Sequence, residues 1–161
     1  MTIQIGDRIR DATLAQATSE GPKPVSTADI FAGKTVALFA VPGAFTPTCS
    51  EKHLPGFINR FTDFRDRGIE VICMAVNDPF VMQAWGESQH VPEGLTMLAD
   101  GNADFARALG LDMDASGFGM GTRSKRFALY AEDGVVREVF VEAPGEFRVS
   151  SAEHVLDNLP G

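Results

Sequence analysis

The chain has 161 residues, one domain's worth of length, with 44% hydrophobic and 22% charged residues. Those ordinary globular values exclude low complexity, collagen and wholesale disorder. A net charge of −8 argues against nucleic acid and anionic membrane surfaces as partners, and the longest apolar runs, at 36–41 and 71–76, fall far short of the ~20 residues that span a bilayer.

Two cysteines are too few for a disulfide scaffold at this length. The opening Met-Thr-Ile-Gln-Ile-Gly-Asp-Arg lacks a basic stretch ahead of an apolar one, so no secretory signal is expected. The expectation is a cytoplasmic protein with free thiols, folded as a single domain over 1–161. No repeat or linker divides it.

In chain order, Gly21-Pro22-Lys23-Pro24 reads as a loop, and Ser26 as the cap of a short turn over 28–31. Residues 35–41 are a continuous apolar run, a strand buried on both faces, ended by Pro42-Gly43. A helix then runs to about Arg67, with Leu54, Phe57, Ile58, Phe61 and Phe64 at helical spacing. Pro55 should kink it and Gly68 should stop it. A second buried strand over 69–76 completes a βαβ unit, hence a parallel pair.

A helix over 79–89, a strand over 95–99 and a short helix over 103–109 follow. Residues 116–122 are Gly-rich and loop-like. Strands at 126–131 and 135–142 flank Glu132-Asp133-Gly134, a hairpin signal, and 151–159 reads as a terminal helix. The pattern predicts an α/β sandwich around a mixed sheet.

Cys49 falls at the carboxyl end of the first buried strand, in the first turn of a helix. That is where α/β folds place ligands, and where backbone N–H groups and the helix dipole favour a thiolate. Position alone fits a small core cysteine equally well. Thr46 stands three residues ahead of Cys49, where a dithiol exchange protein would carry its first sulfur, so a C-x-x-C mechanism is absent here.

The segment Val41-Pro42-Gly43-Ala44-Phe45-Thr46-Pro47-Thr48-Cys49-Ser50, with His53-Leu54-Pro55-Gly56-Phe57 after it, closely resembles the active-site segment of peroxiredoxins of the type-5 group. The spaced Pro-x-x-x-Thr-x-x-Cys core falls on Pro42, Thr46 and Cys49. The resemblance continues through Val76-Asn77-Asp78, Trp85-Gly86, Leu98-Ala99-Asp100 and Lys125-Arg126-Phe127, over essentially the whole chain. It implies a thioredoxin-like three-layer sandwich with a central mixed sheet flanked by helices. It also implies a thiol peroxidase acting on hydrogen peroxide and small alkyl hydroperoxides, with no cofactor and no metal. Cys49 would be the nucleophile that becomes a sulfenic acid, with Arg126 completing the site and Arg123 ranked second.

Under the same resemblance, Thr46 would hold the attacked oxygen and Pro42 would pack over the sulfur. The N–H groups of Thr48 and Cys49 would stabilise developing charge, with Gly43 and Phe45 also lining the substrate site. Phe45, Phe80 and Trp85 read as core residues, with a subunit interface the alternative for loop-borne Phe45 and Phe80, and Phe118 could line the mouth of the site or a homodimer contact.

A cysteine at pKa about 8.5 is about 3% thiolate at pH 7, and lowering it to about 6 gains roughly thirtyfold. Lost nucleophilicity returns roughly 10–20-fold of that, so the net gain is about two- to threefold. The site must therefore stabilise the transition state as well.

Cys73 lies mid-strand and reads as a buried structural residue, about four residues short of the strand's edge and roughly 13 Å from where Cys49 belongs. No cysteine occurs in Ser150-Ser151-Ala152-Glu153. The expectation is a one-cysteine cycle closed by glutathione with glutaredoxin, or by thioredoxin. A thiol-disulfide exchange protein, or a peroxide sensor relaying oxidation to a partner, is the competing reading.

His53 reads as helix packing, with a base role for Cys49 the lesser alternative. Cys49 and His53 lack two further ligands for a metal. Gly33-Lys34-Thr35 and the glycines of 117–121 do not sit in phosphate- or dinucleotide-binding contexts.

Overall fold

A computed structural model of the chain describes residues 2–160. Its elements in order are β1 (Thr13–Ala17), β2 (Lys23–Ser26), α1 (Thr27–Phe31), β3 (Thr35–Val41), α2 (Leu54–Asn59), α3 (Phe61–Asp66), β4 (Glu70–Ala75) and α4 (Pro79–Ser88). They are followed by β5 (Thr96–Ala99), α5 (Asp104–Leu109), β6 (Asp112–Asp114), β7 (Thr122–Ser124), β8 (Phe127–Glu132), β9 (Val135–Val141) and α6 (Ala152–Asp157).

Seven strands form one sheet in the order β2-β1-β5-β4-β3-β8-β9. β3, β4 and β5 run parallel, as the βαβ reading requires, and the other pairings are antiparallel, so the sheet is mixed.

Strand periodicity explains the layers. Along β3, Ala37, Phe39 and Val41 face one core with Leu54, Phe57, Phe64, Trp85 and Val155, from α2, α3, α4 and α6. Val36, Leu38 and Ala40 face the opposite core with Ile30, Phe31, Phe105 and Leu109, from α1 and α5. Helices therefore cover both faces of a sheet in which β3 and β4 are buried at every residue but their first. α1 opens on the expected cap: Ser26 and Asp29 form a reciprocal capping box.

Two readings need correction. Residues 21–24 are not all loop, because Lys23–Ser26 forms β2, paired with β1. Pro24 cannot donate to a ladder, and it survives here because β2 is the sheet's outer strand. The stretch 116–122 is not wholly loop either. It holds a short 3₁₀ turn at Ser116–Phe118 and leads into β7, which pairs with β6. No helix among the described residues is long and apolar enough to cross a membrane.

Candidate active site

The carboxyl end of β3 opens onto a tight loop at Pro42 and Gly43. A methyl group on Gly43 would stand 3.2 Å from both Met120 Cε and Thr46 Cγ2, so any larger residue here would push on one or both. Thr46 Oγ1 donates to Gly43 O at 2.6 Å, and the Ala44 N–H donates to Asn77 Oδ1 at 2.9 Å. Asn77 follows β4, so the loops at the ends of two adjacent parallel strands are tied together.

Helical structure starts at Pro47, and Ser50 N–H bonds Thr46 O at 2.9 Å. The next turn is wide: Cys49–His53 is a π turn in which Leu54 N–H reaches back five residues to Cys49 O. Pro55 accounts for it. Proline supplies no N–H to Glu51 O, and in an α turn its ring would strike that carbonyl. The expected irregularity at Pro55 is thus this π turn, while the break in the helix comes later, at Arg60.

Cys49 is fully enclosed, at 0% exposure. β8 runs antiparallel to β3 with Phe127 opposite Ala40, which brings Arg126, just ahead of β8, to the end of β3. Arg126 Nη2 donates to Cys49 Sγ at 3.1 Å, and Nη1 donates to His53 Nδ1 at 2.8 Å. His53 Nε2 lies 2.9 Å from Ser150 O.

These partners fix the tautomer. A carbonyl only accepts and a guanidinium only donates, so Nε2 carries the proton and Nδ1 offers its lone pair. The ring sits among Phe39, Phe57 and Phe147, with centroids 4.9, 5.7 and 5.0 Å away. Burial in that cage, reinforced by the charge of Arg126, pushes the imidazole down to about 3, so His53 is neutral at working pH. A neutral ring leaves the positive charge of Arg126 directed at the sulfur.

The Redoxin family model matches residues 4–156. The chain is 48% identical to Peroxiredoxin-2E-2, chloroplastic, of Oryza sativa, over 98% of this chain and 73% of that protein. It is 44% identical to Peroxiredoxin-2B of Arabidopsis thaliana, over 98% of both. The chain belongs to the peroxiredoxin family.

Reduced Prx3 of Vibrio vulnificus, solved in complex with hydrogen peroxide, superposes with a TM-score of 0.92 at 50% identity, covering 97% of this chain and 98% of that one. The fold is accordingly the thioredoxin-like fold of peroxiredoxins, and the function is that of a thiol-dependent antioxidant peroxidase.

Within this peroxiredoxin the two candidate arginines separate cleanly. Arg126 touches the sulfur. Arg123 instead bonds Met120 O at 3.0 Å through Nε and Val76 O at 2.9 Å through Nη1, bracing the loop before β7 against the end of β4. Pro42 and Thr48 are half-buried beside the site. Of the three aromatics expected in the core, only Trp85 is there: Phe45, on the loop with φ +64°, and Phe80, in the first turn of α4, are exposed, as is Phe118.

Cys73 is buried and free, in the same core cluster as Cys49. β4 ends at Ala75, so Cys73 stands two residues from the strand's end rather than the four expected at the edge. Burial, with the neighbouring Cys49 adding to it, pushes the Cys73 thiol up and keeps it protonated.

The sequence reading weighed His53 against Cys49 alone and missed its bond to Arg126. The spacing of four from Cys49 was the available signal. Glu142, the residue after β9, carries no such signal.

Proposed function

We propose that this peroxiredoxin runs a one-cysteine cycle of the type-5 kind, with Cys49 as the peroxidatic residue. The observation that supports it is the 3.1 Å bond from Arg126 to Sγ at a site with hydroxyl-bearing Thr46 where an exchange protein has a second sulfur.

The thiolate attacks the terminal peroxide oxygen, forming an S–O bond as the O–O bond breaks. The departing hydroxide or alkoxide takes a proton and leaves as water or alcohol. An external thiol then attacks the sulfenic sulfur and releases water, leaving a mixed disulfide. A second thiol frees Cys49 and departs as the oxidised disulfide. Arg126 holds charge near the reacting atoms, Thr46 orients the attacked oxygen, and Pro42, Gly43, Phe45 and Thr48 shape the approach. The enclosed sulfur means that side chains around it move aside as peroxide enters.

The substrates are hydrogen peroxide and small hydroperoxides, and the reductant is glutathione with glutaredoxin, or thioredoxin. The chain works as one domain over 1–161 in the cytoplasm, where its two free thiols stay reduced. It pairs as a homodimer through exposed Phe45, Phe80 and Phe118.

Peroxide consumption assayed side by side with glutathione/glutaredoxin and with thioredoxin tests the reading. Sustained turnover with either supports it. A single oxidation without turnover points to a sensor. Cys73→Ser should keep turnover within about twofold with the external thiol, whereas complete loss, or a stoichiometric Cys49–Cys73 bond in the intact mass after one equivalent of peroxide, overturns the one-cysteine cycle.

Thr46 separates shape from chemistry. Thr46→Ser keeps the hydroxyl and should hold kcat/KM within about tenfold. Thr46→Val keeps the shape but strips the donor from Gly43 O, and should lose roughly 10²-fold or more. Equal activities of the two variants would show that the hydroxyl has no role.

A further inference from the structure

The segment between β9 and α6 contributes two groups to the surroundings of Cys49. Ser150 supplies the carbonyl that accepts from His53 Nε2. Phe147 lies beside the His53 ring and under the Arg126 guanidinium, whose carbon is 5.9 Å from its centroid. The segment has no regular secondary structure of its own, so something else must hold it in place.

The buried carboxylate of Glu142, the residue after β9, does so. Its Oε2 accepts from Arg148 N–H at 2.8 Å, Val149 N–H at 2.9 Å, Ser150 N–H at 2.8 Å and Ser150 Oγ at 2.6 Å, and its Oε1 from Arg148 N–H at 2.9 Å. The Glu142 backbone N–H in turn donates to Arg126 O at 3.0 Å, fixing one side chain's root to the other's. Burial pushes the carboxyl up, but the bonds from Ser150 Oγ and from the N–H groups of Arg148, Ser150 and Val149 outweigh it and leave it below the ordinary value, so it is ionised at working pH. Three successive N–H groups converging on one anion are a tight grip on a chain segment.

We propose that Glu142 is a positioning residue for the Cys49 centre. By gripping the 148–150 backbone, it sets the Ser150 carbonyl that selects the Nε2-protonated tautomer of His53. That tautomer presents the lone pair that aims Arg126 at the sulfur. Loosening the grip frees the carbonyl, lets the imidazole proton move to Nδ1, and turns that nitrogen from an acceptor for Arg126 into a competing donor. The proposal rests on the role given to Cys49 above, but its primary readout does not depend on turnover.

The experiment compares the full chain with Glu142→Gln, which removes the charge and, with the amide oxygen at the Oε2 position, sets NH2 against the Arg148 N–H, and with Ser150→Ala, which removes one of the five bonds and leaves the backbone grip in place. Imidazole ¹⁵N shifts of His53 report the tautomer, and the pH dependence of Cys49 alkylation by iodoacetamide reports the sulfur. Glu142→Gln should populate the second tautomer, alter the alkylation profile, and lower kcat/KM for hydrogen peroxide roughly tenfold. Ser150→Ala should shift both readouts in the same direction by less.

A residue that only braces the fold would lower the unfolding temperature and leave the tautomer and the profile where they were. That result in folded Glu142→Gln overturns the proposal. Should Glu142→Gln not fold, unchanged readouts in Ser150→Ala overturn it equally. Absence of peroxide turnover in the unmodified chain would sink the reading of Cys49, while leaving the tautomer shift still measurable.

Discussion

Cys49→Ser should keep the fold and end peroxide turnover. The replacement is nearly isosteric and enters a fully enclosed position, where Arg126 Nη2 still has an atom to donate to. Stability should stay within about 2 kcal/mol of the parent, the ordinary range for a point change. The chemistry has no such continuity. A serine hydroxyl does not accept an oxygen atom from peroxide as sulfur does in forming a sulfenic acid. Turnover should fall to the uncatalysed rate, a loss of roughly 10⁶-fold on the scale of enzyme accelerations. Peroxide consumption with excess reductant, alongside circular dichroism, makes the measurement. Residual turnover at even a hundredth of the parent rate would move the active sulfur elsewhere, and Cys73 is the other thiol.

The enclosure of Cys49 bears on the reading itself. A sulfur walled off with no arginine near it would have undone the enzymatic account from the outset. The first half of that condition holds and the second does not, because the guanidinium stands at hydrogen-bond distance. An enclosed sulfur beside a fixed cation is a dry, preorganised site, in which an aimed donor is worth more than it is in water.

Much of this geometry was legible in the order of residues. The apolar runs of β3 and β4, with a crossover between them, announced a parallel pair. Cys49 followed at the strand's carboxyl end, whereas Arg126, at the start of the strand that returns antiparallel beside β3, was pointed to only by the family resemblance.

The misses have physical causes. β1 has no clean polar–apolar alternation and buries only Leu14 fully, and β2 contains a proline that only an outer strand tolerates. The π turn depends on where a ring and a missing N–H meet a carbonyl four residues away, which sequence spacing suggests only as a generic kink. The Glu142 grip joins a carboxylate to backbone six to eight residues on. Backbone donors leave no mark in the residue alphabet, and the Ser150 carbonyl that matters to His53 would be there whatever the side chain.

Arg126→Lys tests whether the cation acts on the sulfur or on the oxidant. Making the thiolate yields at most about a two- to threefold net gain, since charge gained is nucleophilicity lost. The remaining acceleration must arise where negative charge spreads over the peroxide oxygens. A guanidinium can place separate N–H groups on Sγ and on His53 Nδ1 with geometry fixed by its plane, whereas an ammonium is a mobile point charge. Lysine at 126 keeps the charge and loses the fork. For hydrogen peroxide, kcat/KM should fall about 10²–10³-fold, the cost of removing one aimed donor from a developing anion. Alkylation of Cys49 by iodoacetamide involves no peroxide oxygen, and should slow by no more than about tenfold. The two rates measured on one preparation therefore diverge if Arg126 stabilises the transition state. Parallel losses in both would confine Arg126 to charging the sulfur, and full retention of both would remove it from the site's chemistry.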